Sequence, residues 1–247
     1  MEYFWYTYHD LPSGVGFSYF GAKHLTALAL IAIGIVACCL VFARLAERGR
    51  GRMLKGIAVL VAAGELARDV VLVCVGHFGM EFLPLHLCSF AIVVYVVHSF
   101  MPESRLRDAL GEISWCLLMP GSMSALLFPN WTAYPMLNFM NLHSFLWHAL
   151  LVLYPVLLLL GGRIRPRVGH WWYAAVFLLV VVPPVYAFDV VTGYNYLFVN
   201  FPLAGTPMTV LSELLGAWWR VGYAAFALAV IVAMLTLGGR LSRRAPR

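Results

Sequence analysis

Charge is scarce in this chain. Only 11% of its 247 residues are Asp, Glu, Lys or Arg, against about 25% in a soluble domain. With 62% of residues hydrophobic, an ordinary globular composition is excluded and a polytopic membrane protein remains. Paired cysteines are missing as well. Cys38, Cys39, Cys74, Cys88 and Cys116 all fall in apolar stretches, and none forms a CxxC or finger spacing. Neither a disulfide framework nor a structural zinc site is indicated, and no metal or cofactor is called for. Residues 1–20 are polar and aromatic, with no basic segment leading into an apolar one, so no cleavable signal peptide is expected. No internal repeat stands out, and no soluble domain fits between the apolar segments.

Those segments number seven, at approximately 22–43, 54–76, 83–101, 107–128, 137–160, 170–192 and 209–238. Each is near the ~20 residues that cross a hydrocarbon core. The prediction is one all-α membrane domain, residues 1–247, with the last span preceded by an interfacial turn before Trp218-Trp219. The first connection carries Arg44, Arg48, Arg50, Arg52 and Lys55, and the third carries Arg105 and Arg107. The fifth carries Arg163, Arg165 and Arg167, and the tail carries Arg240, Arg243, Arg244 and Arg247. The second, fourth and sixth connections have no Lys or Arg. The positive-inside rule therefore predicts an outer N-terminus and a cytoplasmic C-terminus. The net charge of +6 reads as topology and contact with anionic lipid, not as a nucleic-acid surface. Tyr3, Phe4, Trp5, Tyr6 and Tyr8 form an interfacial anchor on the outer side. The sixth connection, 193–207, is long and still apolar, and it either lies in the headgroup region or folds back over the bundle mouth.

The chemistry gathers around Leu83-Pro84-Leu85-His86-Leu87-Cys88-Ser89. Pro84 suits the first turn of a helix, which places a thiol just below the outer surface. The plainest reading of Cys88 is a small packing residue; the alternative is a nucleophile. A thiol with a reference pKa of about 8.5 needs a base or a positive neighbour to act near neutral pH. Asn141, Ser144 and His148 form a stripe on one face of the fifth span, and His148 descends from the same surface as Cys88, so the two can meet. His143, about 140° away at about 100° per residue, faces elsewhere. His24 lies near the same surface, whereas His98 lies toward the other end of its span. In the second span Glu65, Arg68 and Asp69 share a face, either as an ion pair that glues helices or as a carboxylate that orients a histidine. Pro120-Gly121, Ser122 and Ser124 suggest a kink with close helix packing.

Taken together, these elements resemble the YwaF-type family of bacterial integral membrane proteins. The resemblance rests on Phe20-Gly21-Ala22-Lys23-His24, Glu65, the 83–89 stretch, Ser124-Ala125-Leu126-Leu127-Phe128-Pro129, His148, Arg165-Pro166 and Asn195-Tyr196-Leu197-Phe198. It departs at Ala149, where members often have Gly, and at Leu215-Gly216-Ala217-Trp218-Trp219, which matches a Pro/Trp element only loosely. That family is similar to the eukaryotic transmembrane protein 164 group of cysteine-dependent phospholipid acyltransferases. The resemblance implies a multi-pass protein of the bacterial cytoplasmic membrane, with Cys88 as acyl-accepting nucleophile and His148 as base.

The leading expectation is thus a lipid-modifying enzyme, an acyltransferase or ester hydrolase acting on membrane lipids. His24, Glu65, His86, Asn141, His143 and Ser144 would line or support the site, and Asn195 would donate to the carbonyl oxygen. The alternatives are a non-catalytic transporter or lipid-binding protein, with the same polar residues lining a cavity, and a purely structural partner in a complex.

Overall fold

The computed structural model describes residues 2–244, so Arg247 and the side chain of Arg244, part of the basic tail, lie outside the described residues. Seven helices follow one another: α1 (Ala22–Arg44), α2 (Glu47–Cys74), α3 (Leu87–Phe100), α4 (Arg105–Leu127), α5 (Phe139–Leu160), α6 (Val168–Thr192) and α7 (Pro207–Arg243). All but α2 and α3 are long and apolar enough to cross a membrane, and the chain is a multi-pass membrane protein. The sequence led us to expect seven full spans. The two exceptions have physical causes. α2 carries Glu65, Arg68 and Asp69 in its apolar half, and it begins at Glu47, earlier than expected, so that the basic run Arg48 to Lys55 fills its first turns. α3 is short because the chain before it does not enter the helix. Met80–Phe82 form a 3-10 turn, Leu83 and His86 are extended, and the helix starts only at Leu87 with His86 as its N-cap. Pro84 therefore precedes the helix rather than opening it. Proline biases the residue before it toward extended backbone, and Leu83 has φ −59° and ψ 143°. With 14 residues, α3 covers about 21 Å of a core about 30 Å thick.

α5 is the central helix and is buried along most of its length. Asn138 caps it, its Oδ1 accepting from the Met140 amide at 2.9 Å while its Nδ2 donates to the carbonyls of Tyr3 and Tyr6. One side chain thus starts the helix and docks the aromatic N-terminal segment. On α2, the Val61 carbonyl accepts from Trp147 Nε1 at 2.9 Å. On α3, Tyr95 Oη donates to the Leu151 carbonyl at 2.7 Å and the Tyr95 ring stacks on Tyr154 at 4.2 Å. His98 and Ser99 both meet the Tyr154 hydroxyl. These bonds set the register of two helices that descend from the same end of the bundle. In a hydrocarbon surround, where apolar contact between helices gains little over lipid, such polar bonds specify the packing.

α4 widens into a π turn at Ser114–Leu118 just before Pro120. Proline has no N–H to continue the α-helical ladder, and the wider turn accommodates its ring. Beyond it Gly121 lets α4 approach α3 closely; a Cβ there would sit 3.1 Å from Leu87. α7 breaks at Gly216, whose φ of +53° is open to glycine without steric cost. A short helix Pro207–Leu215 precedes the break and the spanning part starts at Trp219, in keeping with the expected interfacial turn.

The end of the bundle from which α1, α3, α5 and α7 descend is its mouth. The N-terminal segment crosses it: Tyr8 donates to Glu81 at 2.9 Å, and Thr7 and Asp10 meet His77. Burial, and then the Glu81 carboxylate that accepts its proton, push the Tyr8 hydroxyl up to about 12, so it remains a donor to Glu81 at neutral pH. The 193–206 connection folds back onto the end of α6 and the stretch that leads into α3. Tyr196 and Leu197 pack with Val181, Val185, Leu83 and Leu85.

Candidate functional site

Cys88 is the second residue of α3. Successive side chains on a helix turn by about 100°, so Cys88 shares the face of Tyr95, two turns below. Tyr95 touches Leu151 and Tyr154 of α5. Two turns back up α5 from those residues lie Ser144 and Trp147, with His148 beside them. The observed α3–α5 register thus brings the thiol to the level of Ser144 and His148. Among the described residues no hydrogen bond joins Cys88 Sγ to the His148 ring. The charges that act on the sulfur come from the α2 side, from Glu65 and Arg68.

His148 is 7% exposed. Its Nδ1 lies 2.7 Å from the Ser144 carbonyl oxygen, which can only accept. The proton of the neutral ring is therefore on Nδ1, and Nε2 carries a lone pair. The Trp131 indole stacks on the imidazole at 5.0 Å and Trp147 meets it edge-on at 5.2 Å. The imidazole is held by its backbone bond and by two aromatic rings. Trp131, in the α4–α5 connection, was not singled out from the sequence; an interfacial tryptophan is too common a feature to mark it.

The second polar group lies on α2. Arg68 Nη2 is 2.9 Å from Glu65 Oε1 and 2.6 Å from Asp69 Oδ1, so the expected α2 ion pair forms. Its directed hydrogen bonds go to Asp69 and, at 2.9 Å, to the Phe82 carbonyl. Arg68 thereby ties α2 to the turn that leads into α3. Ser89 and Cys88 face this group.

The remaining expected residues are placed as follows. His24 is fully buried and uses both ring nitrogens: the Phe20 amide donates to Nδ1 at 3.0 Å, and Nε2 donates to the Leu126 carbonyl at 2.8 Å. It supports the site from behind, through Phe145, which contacts Trp131. His143 Nε2 donates to the Gly64 carbonyl at 3.0 Å, so this ring faces α2 and not His148. Asn141 is buried, with Nδ2 donating to the Met136 carbonyl at 3.0 Å, and Ser144 contributes its carbonyl to His148. His86, at the head of α3, packs against Tyr196 and Phe198. Asn195 is occupied within its own loop: Oδ1 accepts from the amides of Asn200 and Phe201, and Nδ2 donates to the Phe201 carbonyl at 2.7 Å. Its amide organises residues 195–201 rather than pointing at the thiol.

Two residues hold this loop over His86. Asp189, buried in α6, accepts from the Tyr196 amide at 3.0 Å. Arg220 of α7 donates to the carbonyls of Val199 and Asn200, both at 2.7 Å. Neither was singled out in the sequence, although each is an isolated charge in an apolar span, and that signal alone could have found them. An apolar groove of about 390 Å³ opens between α3 and α6, lined among others by Phe90, Val181 and Pro184. Phe90 lies on the face of α3 turned away from Cys88. Among the described residues no group of three or more His, Cys, Asp or Glu could hold a metal ion.

A sequence model of the TMEM164 family matches residues 19–237. No curated protein and no solved structure matches the chain.

Proposed function

The chain belongs to the TMEM164 family, and from that premise we propose that it is a membrane enzyme that moves a fatty acyl group through a thioester on Cys88. The observation that carries the reading is the state of His148, whose Nε2 is left as a lone pair by the bond from Nδ1 to Ser144, on the helix whose register with α3 brings it to the level of Cys88. The same assignment follows from the resemblance to YwaF-type proteins. In the first half-reaction His148 Nε2 takes the thiol proton and Sγ attacks the ester carbonyl of a membrane lipid. The tetrahedral adduct collapses, the C–O bond breaks, and the leaving alkoxide takes the proton back from Nε2. The acyl group remains on sulfur until a lysolipid hydroxyl or water removes it. Hydrogen bonds in catalytic pairs are often long before substrate binds, so the missing Cys88–His148 bond is compatible with this chemistry.

A lipid-like chloroacetamide tests the nucleophile. Mass mapping after incubation should find Cys88 modified ahead of Cys38, Cys39, Cys74 and Cys116, because packing thiols are inert while an activated one is not. Equal labelling of several cysteines would make Cys88 a packing residue and leave the transporter or lipid-binding reading.

The proposed orientation places the mouth on the outer side of a bacterial cytoplasmic membrane and the basic end inside. A reporter fused after Arg247 should behave as cytoplasmic, and one inserted between Phe128 and Tyr134 as external. The same side for both would rule out this topology.

A further inference from the structure

Glu65 is 5% exposed, and neither of its carboxylate oxygens has a hydrogen-bond partner. The guanidinium beside it supplies charge but no directed bond, because the aligned N–H groups of Arg68 go to Asp69 and to the Phe82 carbonyl. A buried carboxylate whose oxygens are left unmatched is costly. It is also an open binding position of one kind only, because an ionised carboxylate accepts and cannot donate. A hydroxyl brought to it finds an acceptor. The same carboxylate is close enough to Cys88 for its charge to act on the sulfur, and it faces Ser89 in the next position of α3. His143 has a buried nitrogen without a partner too, but its ring is held against Gly64 by the other nitrogen.

We propose that Glu65 is the base of the second half-reaction, receiving the hydroxyl of the acyl acceptor and taking its proton as that oxygen attacks the thioester on Cys88. The assignment rests on the thioester reading above and adds to it a separate residue for each half. The O–H bond of the acceptor breaks and its proton goes to a Glu65 oxygen. The acceptor oxygen bonds to the acyl carbon, the C–S bond breaks, and Sγ leaves as thiolate beside Arg68. The proton then returns from the Glu65 carboxyl to Sγ, which restores both groups with no other reactant. A lysolipid and water present the same donor, and the site takes either.

The test uses the full chain in detergent with a phospholipid carrying a labelled acyl chain, with and without added lysolipid. Acid quenching traps the protein-bound acyl group, and release by hydroxylamine identifies it as a thioester. In Glu65→Gln the thioester should form at the wild-type rate and accumulate, while release of labelled product falls about 10²–10⁴-fold, the usual contribution of a general base. Glu65→Asp should restore part of the release. Labelled diacyl product in the lysolipid arm, against free fatty acid without it, separates the two acceptors. Three outcomes would overturn the assignment: a folded Glu65→Gln protein that forms no thioester, one that releases product as wild type does, or an Asp variant no better than Gln. If Glu65→Gln fails to fold, Glu65→Asp alone decides: accumulated thioester supports the role and its absence removes it. If wild type and Glu65→Gln both lack a thioester, the thioester mechanism itself fails, and that result is distinct from the others.

Discussion

Cys88→Ser should remove acyl transfer almost completely, by a factor on the order of 10⁴ or more, as for the loss of a catalytic nucleophile elsewhere. The two side chains have nearly the same shape, so packing at the head of α3 is kept. What changes is the ease of ionisation, because an alcohol gives up its proton far less readily than a thiol. His148→Ala should lower the rate of thioester formation by about 10²–10⁴-fold, since the lone pair on Nε2 is lost while α5 stays capped by Asn138. Rates of acyl-enzyme formation from a labelled phospholipid give both numbers. His143→Ala serves as the internal comparison. Its ring faces Gly64, so it should leave the rate of thioester formation within a few-fold of wild type. A Cys88→Ser protein that still transfers acyl groups would end the thioester mechanism. A His143 effect as large as that of His148 would mean that His148 had been mis-assigned as the base.

The largest effect on stability should come from Arg68→Ala, with a loss of about 3–5 kcal/mol, the range for breaking a buried ion pair by removing one partner. The Arg68 side chain is 15% exposed and lies between two carboxylates, of which the Glu65 side chain is 7% exposed. Deleting it leaves two negative charges together at membrane depth and also frees the Phe82 carbonyl, whose bond joins α2 to the start of α3. Arg68→Lys keeps the charge but not the fork, and should fall between the two. Thermal unfolding in detergent, with the yield of monodisperse protein, measures the series. Glu103→Ala, at a pair held 3.8 Å apart with the carboxylate 97% exposed, should leave the midpoint unchanged. An Arg68→Ala midpoint equal to wild type would mean that the α2 charges are solvated rather than buried.

Periodicity and charge made much of this molecule legible beforehand. The seven helices, their alternating loops and the break before Trp219 all follow from segment length and from where arginine is absent. The polar stripe Asn141–Ser144–His148 follows from helical spacing. The start of α3 did not, because a proline near an apolar run is equally consistent with a first helical turn and with the extended residues before it. The role of Asn195 did not either. A side-chain amide in an apolar loop can serve a substrate or its own backbone, and only the position of the Asn200 and Phe201 amides shows which.

What the sequence determined by itself was the class of solvent each segment meets. Hydrophobicity is a property of a stretch of chain and needs no partner to be read, so a membrane bundle with rare, informative charges was present in the residues alone. The tertiary structure decided which of those rare groups face one another. The single bond from Tyr95 to Leu151 sets the register that carries Cys88 to the level of His148, and the direction of the Arg68 guanidinium decides which carboxylate is left open. Both depend on distances of a few ångströms between helices far apart in the chain. A spacing rule along one helix cannot contain them, because hydrogen bonds fall off within a fraction of the width of a helix.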